Sequence, residues 1–223
     1  MLKRIKQRQP GRPIYRILWW HFCHVLCAVW FAIAYRYRFY GQHNIPKAGP
    51  VLLVSNHQSM LDPMIVGLGS SHRQFYAMAR KTLWDSRVLG WLMNSLNAIP
   101  VDQDSPDAST MKTCIKVLKN HHALMIFPEG ARTDSGKTEA FEAGTMLIIK
   151  RAKPIVIPVG LDGAFDVWPR SSKYPKVFGR LACQYGEPIE AQTLLAMKPD
   201  EALAFLQAKV EGLRLGLADR LSE

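Results

Sequence analysis

From residue 50 onward the apolar residues come in short runs: VLLVS at 51–55, QFYAMA at 74–79, ALMIF at 123–127, PIVIPVG at 154–160 and RLACQYG at 180–186. Short apolar runs rich in β-branched and aromatic residues and bounded by turn formers predict strands. Between them the apolar spacing changes to threes and fours, which predicts helices over 108–120 and 142–152. After Pro199, Leu203, Leu206, Val210, Leu213, Leu217 and Leu221 make one apolar stripe, the pattern of an amphipathic helix docked on a domain. Pro199, Asp200 and Glu201 suit the start of that helix. Strands alternating with helices predict an α/β fold, a mixed and mostly parallel sheet flanked by helices. Pro158, inside the fourth run, predicts an edge or a bulge there.

Upstream the pattern is different. Residues 17–35, ILWWHFCHVLCAVWFAIAY, are the one long apolar stretch. As a helix they would reach about 28 Å, close to the hydrocarbon thickness of a bilayer. A signal peptide would share the basic start and the Ala-Ile-Ala at 32–34, but this run is longer than a usual signal core and holds His21 and His24. A spanning helix would carry Arg12 and Arg16 on one side and Arg36 and Arg38 on the other, which gives no orientation under the positive-inside rule. A helix lying in the interface fits best, because its ends are rich in Trp, Tyr and Arg. The chain therefore divides into a basic arm with a membrane-interacting helix, residues 1–40, and a domain over 41–223. Its expected place is on a membrane, at the cytoplasmic face of the inner (plasma) membrane.

Charge sharpens this picture. The net charge is +11, yet no acidic residue precedes Asp62, and nine cations do: Lys3, Arg4, Lys6, Arg8, Arg12, Arg16, Arg36, Arg38 and Lys47. The rest of the chain carries only +2. A nucleic-acid-binding domain would carry its charge on the folded face, so no nucleic-acid partner is expected. A basic arm suits anionic lipid headgroups instead. Four cysteines in 223 residues do not make a disulfide framework. Cys23 and Cys27 read as packing residues, and the alternative that they join His21 and His24 on a metal finds no second ligand set.

Three stretches carry candidate chemistry. In SNHQSMLDP, His57 follows a strand end and Asp62 comes five residues later, directly before Pro63. A neutral imidazole can take a proton from a hydroxyl while a carboxylate on its far nitrogen fixes the tautomer. The same Asp-Pro pair also reads as a helix N-cap followed by an N1 proline. In MIFPEGARTDSG, residues 125–136, a strand runs out into Glu129, Gly130 and Arg132. Pockets form where α/β strands end, a glycine admits close backbone approach, and a guanidinium fork suits a phosphate. In the third stretch, residues 79–103, Lys81 with Arg80 beside it is a second phosphate candidate. There Trp84, Leu89, Trp91, Leu92 and Met93 would line an acyl groove or simply fill core.

These blocks resemble those of the glycerolipid acyltransferases, the group that contains the 1-acylglycerol-3-phosphate acyltransferases. NHQSMLD is similar to the NHx4D block and FPEGART to the FPEGTRS block, 72 residues on from His57 to Glu129. The region from Lys81 to Gly90, and VIPVG, resemble the second and fourth blocks in the right order, so the resemblance covers roughly residues 50–165. It implies an acyltransferase in which His57 is the general base and Asp62 orients it. Asn56, Lys81, Glu129, Gly130 and Arg132 would bind substrate, with Arg132 on the phosphate. It also implies a lysophospholipid acceptor, acyl-CoA or acyl carrier protein as donor, no cofactor and no metal. Three positions depart from the family pattern: Gln103, Ala131 and Glu142, where Arg, Thr and Lys are usual. The loss of positive charge leaves other lysolipid acceptors open. A serine hydrolase built on Ser55 or Ser59 lacks the G-x-S-x-G elbow. A non-catalytic lipid-binding protein of the same fold would not need both His57 and Asp62.

Overall fold

The computed structural model describes residues 13–70, 73–102 and 108–222. The basic arm before residue 13, the 103–107 part of the DQDSPD turn and Gln103 lie outside the described residues. The chain begins with α1 (Ile14–Tyr35) and continues through β1 (Arg38–Tyr40), β2 (Val51–Ser55), α2 (Asp62–Leu68), β3 (Phe75–Arg80), α3 (Arg87–Ser95), β4 (Ala98–Val101), α4 (Ala108–Lys119) and β5 (Ala123–Ile126). It ends with α5 (Gly144–Ala152), β6 (Ile155–Asp162), α6 (Ala164–Val167), β7 (Ala182–Tyr185), β8 (Ile189–Glu190), α7 (Ala191–Leu195) and α8 (Pro199–Ser222).

The sheet order is β1-β7-β6-β2-β5-β3-β4, with β8 also on β6. The block from β6 to β4 is parallel, and β7 and β8 run antiparallel to β6. The sheet is thus mixed and mostly parallel, as the alternation of patterns implied. The central strands are apolar throughout because both faces are covered. Along β2, Val51 and Leu53 enter one core with α1 and α2, while Leu52 and Val54 enter the other with α4, α5 and α8. Along β5 the same alternation sends Ala123 and Met125 to the first core, Leu124 and Ile126 to the second.

Several expectations need correcting. Pro158 is not on an edge strand: β6 is interior, paired with β2 along 155–159. The proline sits where the antiparallel partner changes from β8 (155–156) to β7 (159–162), a gap in the ladder that tolerates a missing N–H. β6 also runs past Gly160 to Asp162. A Cβ at Gly160 would lie 2.6 Å from the Arg214 nitrogen, so the glycine lets α8 lie close on the strand. In the α8 stripe Leu206, Val210 and Leu217 are fully buried.

α1 is long and apolar enough to cross a membrane. One face of it is packed on the domain: Ile17, Trp20, Phe31 and Tyr35 are buried, and His24 Nε2 donates to the Leu68 carbonyl at 2.9 Å. The opposite face exposes Leu18, Phe22, Val25, Leu26, Val29 and Ile33. α3 lies beside its N-terminal half, where the Trp19 and Trp91 rings are 5.4 Å apart and Trp19 Nε1 donates to Ser95 Oγ. Val88, Leu89 and Trp91 are surface residues on α3, outside the lining of the cleft described below.

Candidate active site

Strands β2, β3, β5 and β6 run parallel, so their carboxyl ends share one rim of the sheet. The β2 end continues into a loop, residues 56–61, that is clamped from both sides. Asn56 donates through Nδ2 to the Leu161 carbonyl and accepts the Leu161 N–H, both at 2.9 Å, which ties the loop to β6. The His57 N–H donates to Glu129 Oε1 at 2.9 Å and its carbonyl accepts the Thr133 N–H at 2.8 Å, which ties the loop to the segment after β5. The loop that carries His57 is thus held by both neighbouring strand ends.

The imidazole is held as firmly. Nδ1 lies 2.7 Å from Asp62 Oδ2, and the ring stacks on Phe127 with centroids 4.3 Å apart and planes at 21°. With Nδ1–H on the carboxylate, Nε2 carries the lone pair available to a substrate. Asp62 is fully buried, and its Oδ2 also accepts the Gln58 and Ser59 N–H groups at 2.6 and 2.7 Å. This corrects the capping assignment. Asp62 is the first residue of α2, Leu61 is the N-cap, and the carboxylate serves amides upstream of the helix. Burial raises its pKa, and the contacts with His57 and the two amides oppose that rise.

Glu129 does not reach outward from a turn as a substrate ligand would. Its Oε1 holds the His57 amide and its Oε2 is buried without a partner. Burial pushes its pKa up to about 8. Between pH 4.5 and about 8 the folded chain holds a proton that the unfolded chain has released, so stability falls as pH rises through that window. Glu129→Gln should make this decline shallower without abolishing it, because Asp62 and Asp162 are raised in the same direction. Thermal midpoints of parent and variant at a series of pH values check this; parallel curves would remove Glu129 as the titrating group.

Gly130 has φ +72°, and a Cβ there would lie 2.3 Å from Glu142 Oε1. Any side chain would therefore displace the loop or the Glu142 carboxylate, and both residues border the cleft described next. Arg132 is half-buried, and its pKa is lowered by burial first and then by Arg170, with Arg80 adding to the effect and Asp62 and Asp134 opposing it. The Arg132 guanidinium thus feels the charges of Arg170 and Arg80 as well as that of Asp62, a setting suited to a phosphate. Lys81 begins the 3-10 turn after β3, is exposed, and lies outside the cleft lining, whereas Arg80 lines it.

A cleft of about 720 Å³ opens at His57 and runs between the sheet rim and helices α4 and α5. Its walls are Met78, Val101, Met111, Ile115, Ile126 and Ile148, with Arg80, Lys112 and Arg151 among the polar residues that border it. Sequence reasoning missed Phe127 as the ring under His57, Arg170 beside Arg132, and this set of apolar lining residues.

A hydrogen-bonded His–Asp pair and a cleft at the carboxyl ends of parallel strands are the layout of an α/β enzyme. Residues 36–162 match the family model described as Acyltransferase, and the chain belongs to that family. It is 28% identical over 165 residues to the 1-acyl-sn-glycerol-3-phosphate acyltransferase of Bacillus subtilis, covering 74% of this chain and 79% of that one. It is 29% identical over 161 residues to the Streptococcus pneumoniae protein of the same name, covering 72% and 57%. A solved structure, the 1-acyl-sn-glycerophosphate acyltransferase from Thermotoga maritima, matches with a TM-score of 0.79 over 97% of this chain and 87% of that chain. At 20% identity this shows a shared fold.

Proposed function

We propose that this acyltransferase moves a fatty acyl group from a thioester, acyl-CoA or acyl carrier protein, to the free hydroxyl of a lysophospholipid. The acceptor we assign is 1-acyl-glycerol-3-phosphate, giving phosphatidate. His57 Nε2 takes the hydroxyl proton as the acceptor oxygen attacks the thioester carbonyl. The tetrahedral intermediate then expels the thiolate, the C–S bond breaks, and the imidazolium returns the proton to sulfur. Asp62 holds the tautomer and stabilises the imidazolium. No step calls for a metal or a cofactor. The donor's acyl chain would occupy the apolar cleft that opens at His57.

One observation carries the choice of acceptor: Arg132, close enough to Asp62 to feel its charge, also feels those of Arg170 and Arg80. Glu142, bordering the cleft beside Gly130, sets a negative charge against this choice, as Asp62 and Asp134 do at Arg132 itself. Membrane association is part of the same reading. With one face packed on the domain and the other apolar and exposed, α1 is suited to lie in one leaflet's interface, which brings an amphiphilic acceptor to the site.

Transfer from radiolabelled acyl-CoA to a panel of lysophospholipids in detergent micelles tests the acceptor. We expect 1-acyl-glycerol-3-phosphate to exceed lysophosphatidylcholine at least tenfold, and Arg132→Ala to erase most of that preference, consistent with a charged hydrogen bond worth about 1.5–3 kcal/mol. Equal use of both acceptors by the parent would move the assignment to another lysolipid.

A further inference from the structure

The segment between α6 and β7 reads WPRSSKYPKVFGR over 168–180. It contains Arg170, Lys173, Lys176 and Arg180 and no acidic residue. Tyr174, Val177 and Phe178 are 71%, 71% and 70% exposed, which places three large apolar side chains in solvent on one short loop. The backbone beneath them is braced. The Lys176 N–H donates to the Val167 carbonyl, and the Lys176 carbonyl accepts from the Tyr35 hydroxyl at 3.1 Å. Trp168 Nε1 donates to the Ser172 carbonyl, and the Gly179 and Leu181 N–H groups donate to the Ala34 and Tyr35 carbonyls. A fixed backbone therefore holds these side chains outward, and grouped exposed apolar residues ringed by charge mark an interaction surface.

The position of the loop indicates its partner. Its last braces are to the end of α1, and Phe178 lines one shallow groove with Ile33, Arg36 and Arg180. Ile33 is 72% exposed and belongs to the outer apolar face of α1, so that face runs on into the loop without a break. Aromatic and apolar tips among the cations of a loop that has no acidic residue match the boundary between anionic headgroups and acyl chains. At its start, Arg170 is near enough to Arg132 for its charge to act there, so the same loop reaches the neighbourhood of Arg132.

We propose that residues 170–180 are a second membrane-contact element, which together with the outer face of α1 seats the chain on an anionic bilayer surface. This rests on the reading of α1 as an interfacial helix. It would set the cationic cluster at headgroup level, so an acceptor enters without leaving the interface.

Flotation of the full chain with phosphatidylcholine vesicles, with and without phosphatidylglycerol, tests it. Two loop variants, Val177→Asp/Phe178→Asp and Lys173→Glu/Lys176→Glu, change exposed side chains only. Each should weaken partition to the anionic vesicles by on the order of tenfold or more, with the thermal midpoint of the parent. The lysine variant should also lose the preference for phosphatidylglycerol. Val25→Asp/Val29→Asp reports on α1 separately. Parental binding by both loop variants, with loss in the α1 variant, would overturn the loop proposal and leave the α1 reading intact. Parental binding by the α1 variant would overturn that reading and the proposal with it.

Discussion

His57→Ala should lower acyl transfer about a thousandfold, or ~4 kcal/mol of transition-state stabilisation, while the folded state survives. The expectation follows from how completely the structure commits this ring. Its Nδ1 is on the buried Asp62 carboxylate, its face is on Phe127, and its backbone N–H and carbonyl are held by Glu129 and Thr133. A side chain fixed by so many contacts contributes its one remaining nitrogen at a set position, which is where a general base gains its effect. Loss of the ring leaves Asp62 with its two amide donors, so the thermal midpoint should drop by only a few degrees. Turnover within tenfold of the parent, measured with saturating thioester and acceptor, would remove His57 from the mechanism.

How far the site was legible before the structure depends on what each signal encodes. Continuous apolar runs marked the buried strands well, because a strand covered on both faces has no polar positions to interrupt it. β1 and β8 span three and two residues, too short for any periodicity to register. His57 and Asp62 could be read as a pair because the strand end and the helix start are both local features. The direction of the Asp62 carboxylate could not, since whether it serves the helix amides or the loop amides depends on the loop's path. Arg80 and Lys81 show a different limit. Neighbours at a strand end leave it in different directions, so register decides which one borders the cleft. Arg170 was out of reach because the fold alone brings it beside Arg132. Phe127 was hidden by its place at the end of an apolar run, where it reads as one more core residue.

Asp62 yields the second large effect, and here two substitutions should separate. One oxygen, Oδ2, accepts His57 Nδ1–H and the Gln58 and Ser59 amides, while Oδ1 is buried without a partner. In Asp62→Asn the amide oxygen must take the Oδ2 place, because an NH2 there would face two backbone donors. The tautomer of His57 is then kept, and what is lost is the negative charge that stabilises the imidazolium. That difference, about 1.5–3 kcal/mol for a charge-assisted hydrogen bond, predicts a rate loss of roughly tenfold to a hundredfold. Asp62→Ala removes the acceptor altogether. Two buried amides lose their partner at about 1–3 kcal/mol each, the 56–61 loop loosens, and the rate should fall as far as in His57→Ala. Turnover and thermal midpoints of both variants decide the matter. An Asn variant as inactive as His57→Ala at an unchanged midpoint would mean that the amide had turned and inverted the tautomer. The shared oxygen would then not control the orientation of the pair.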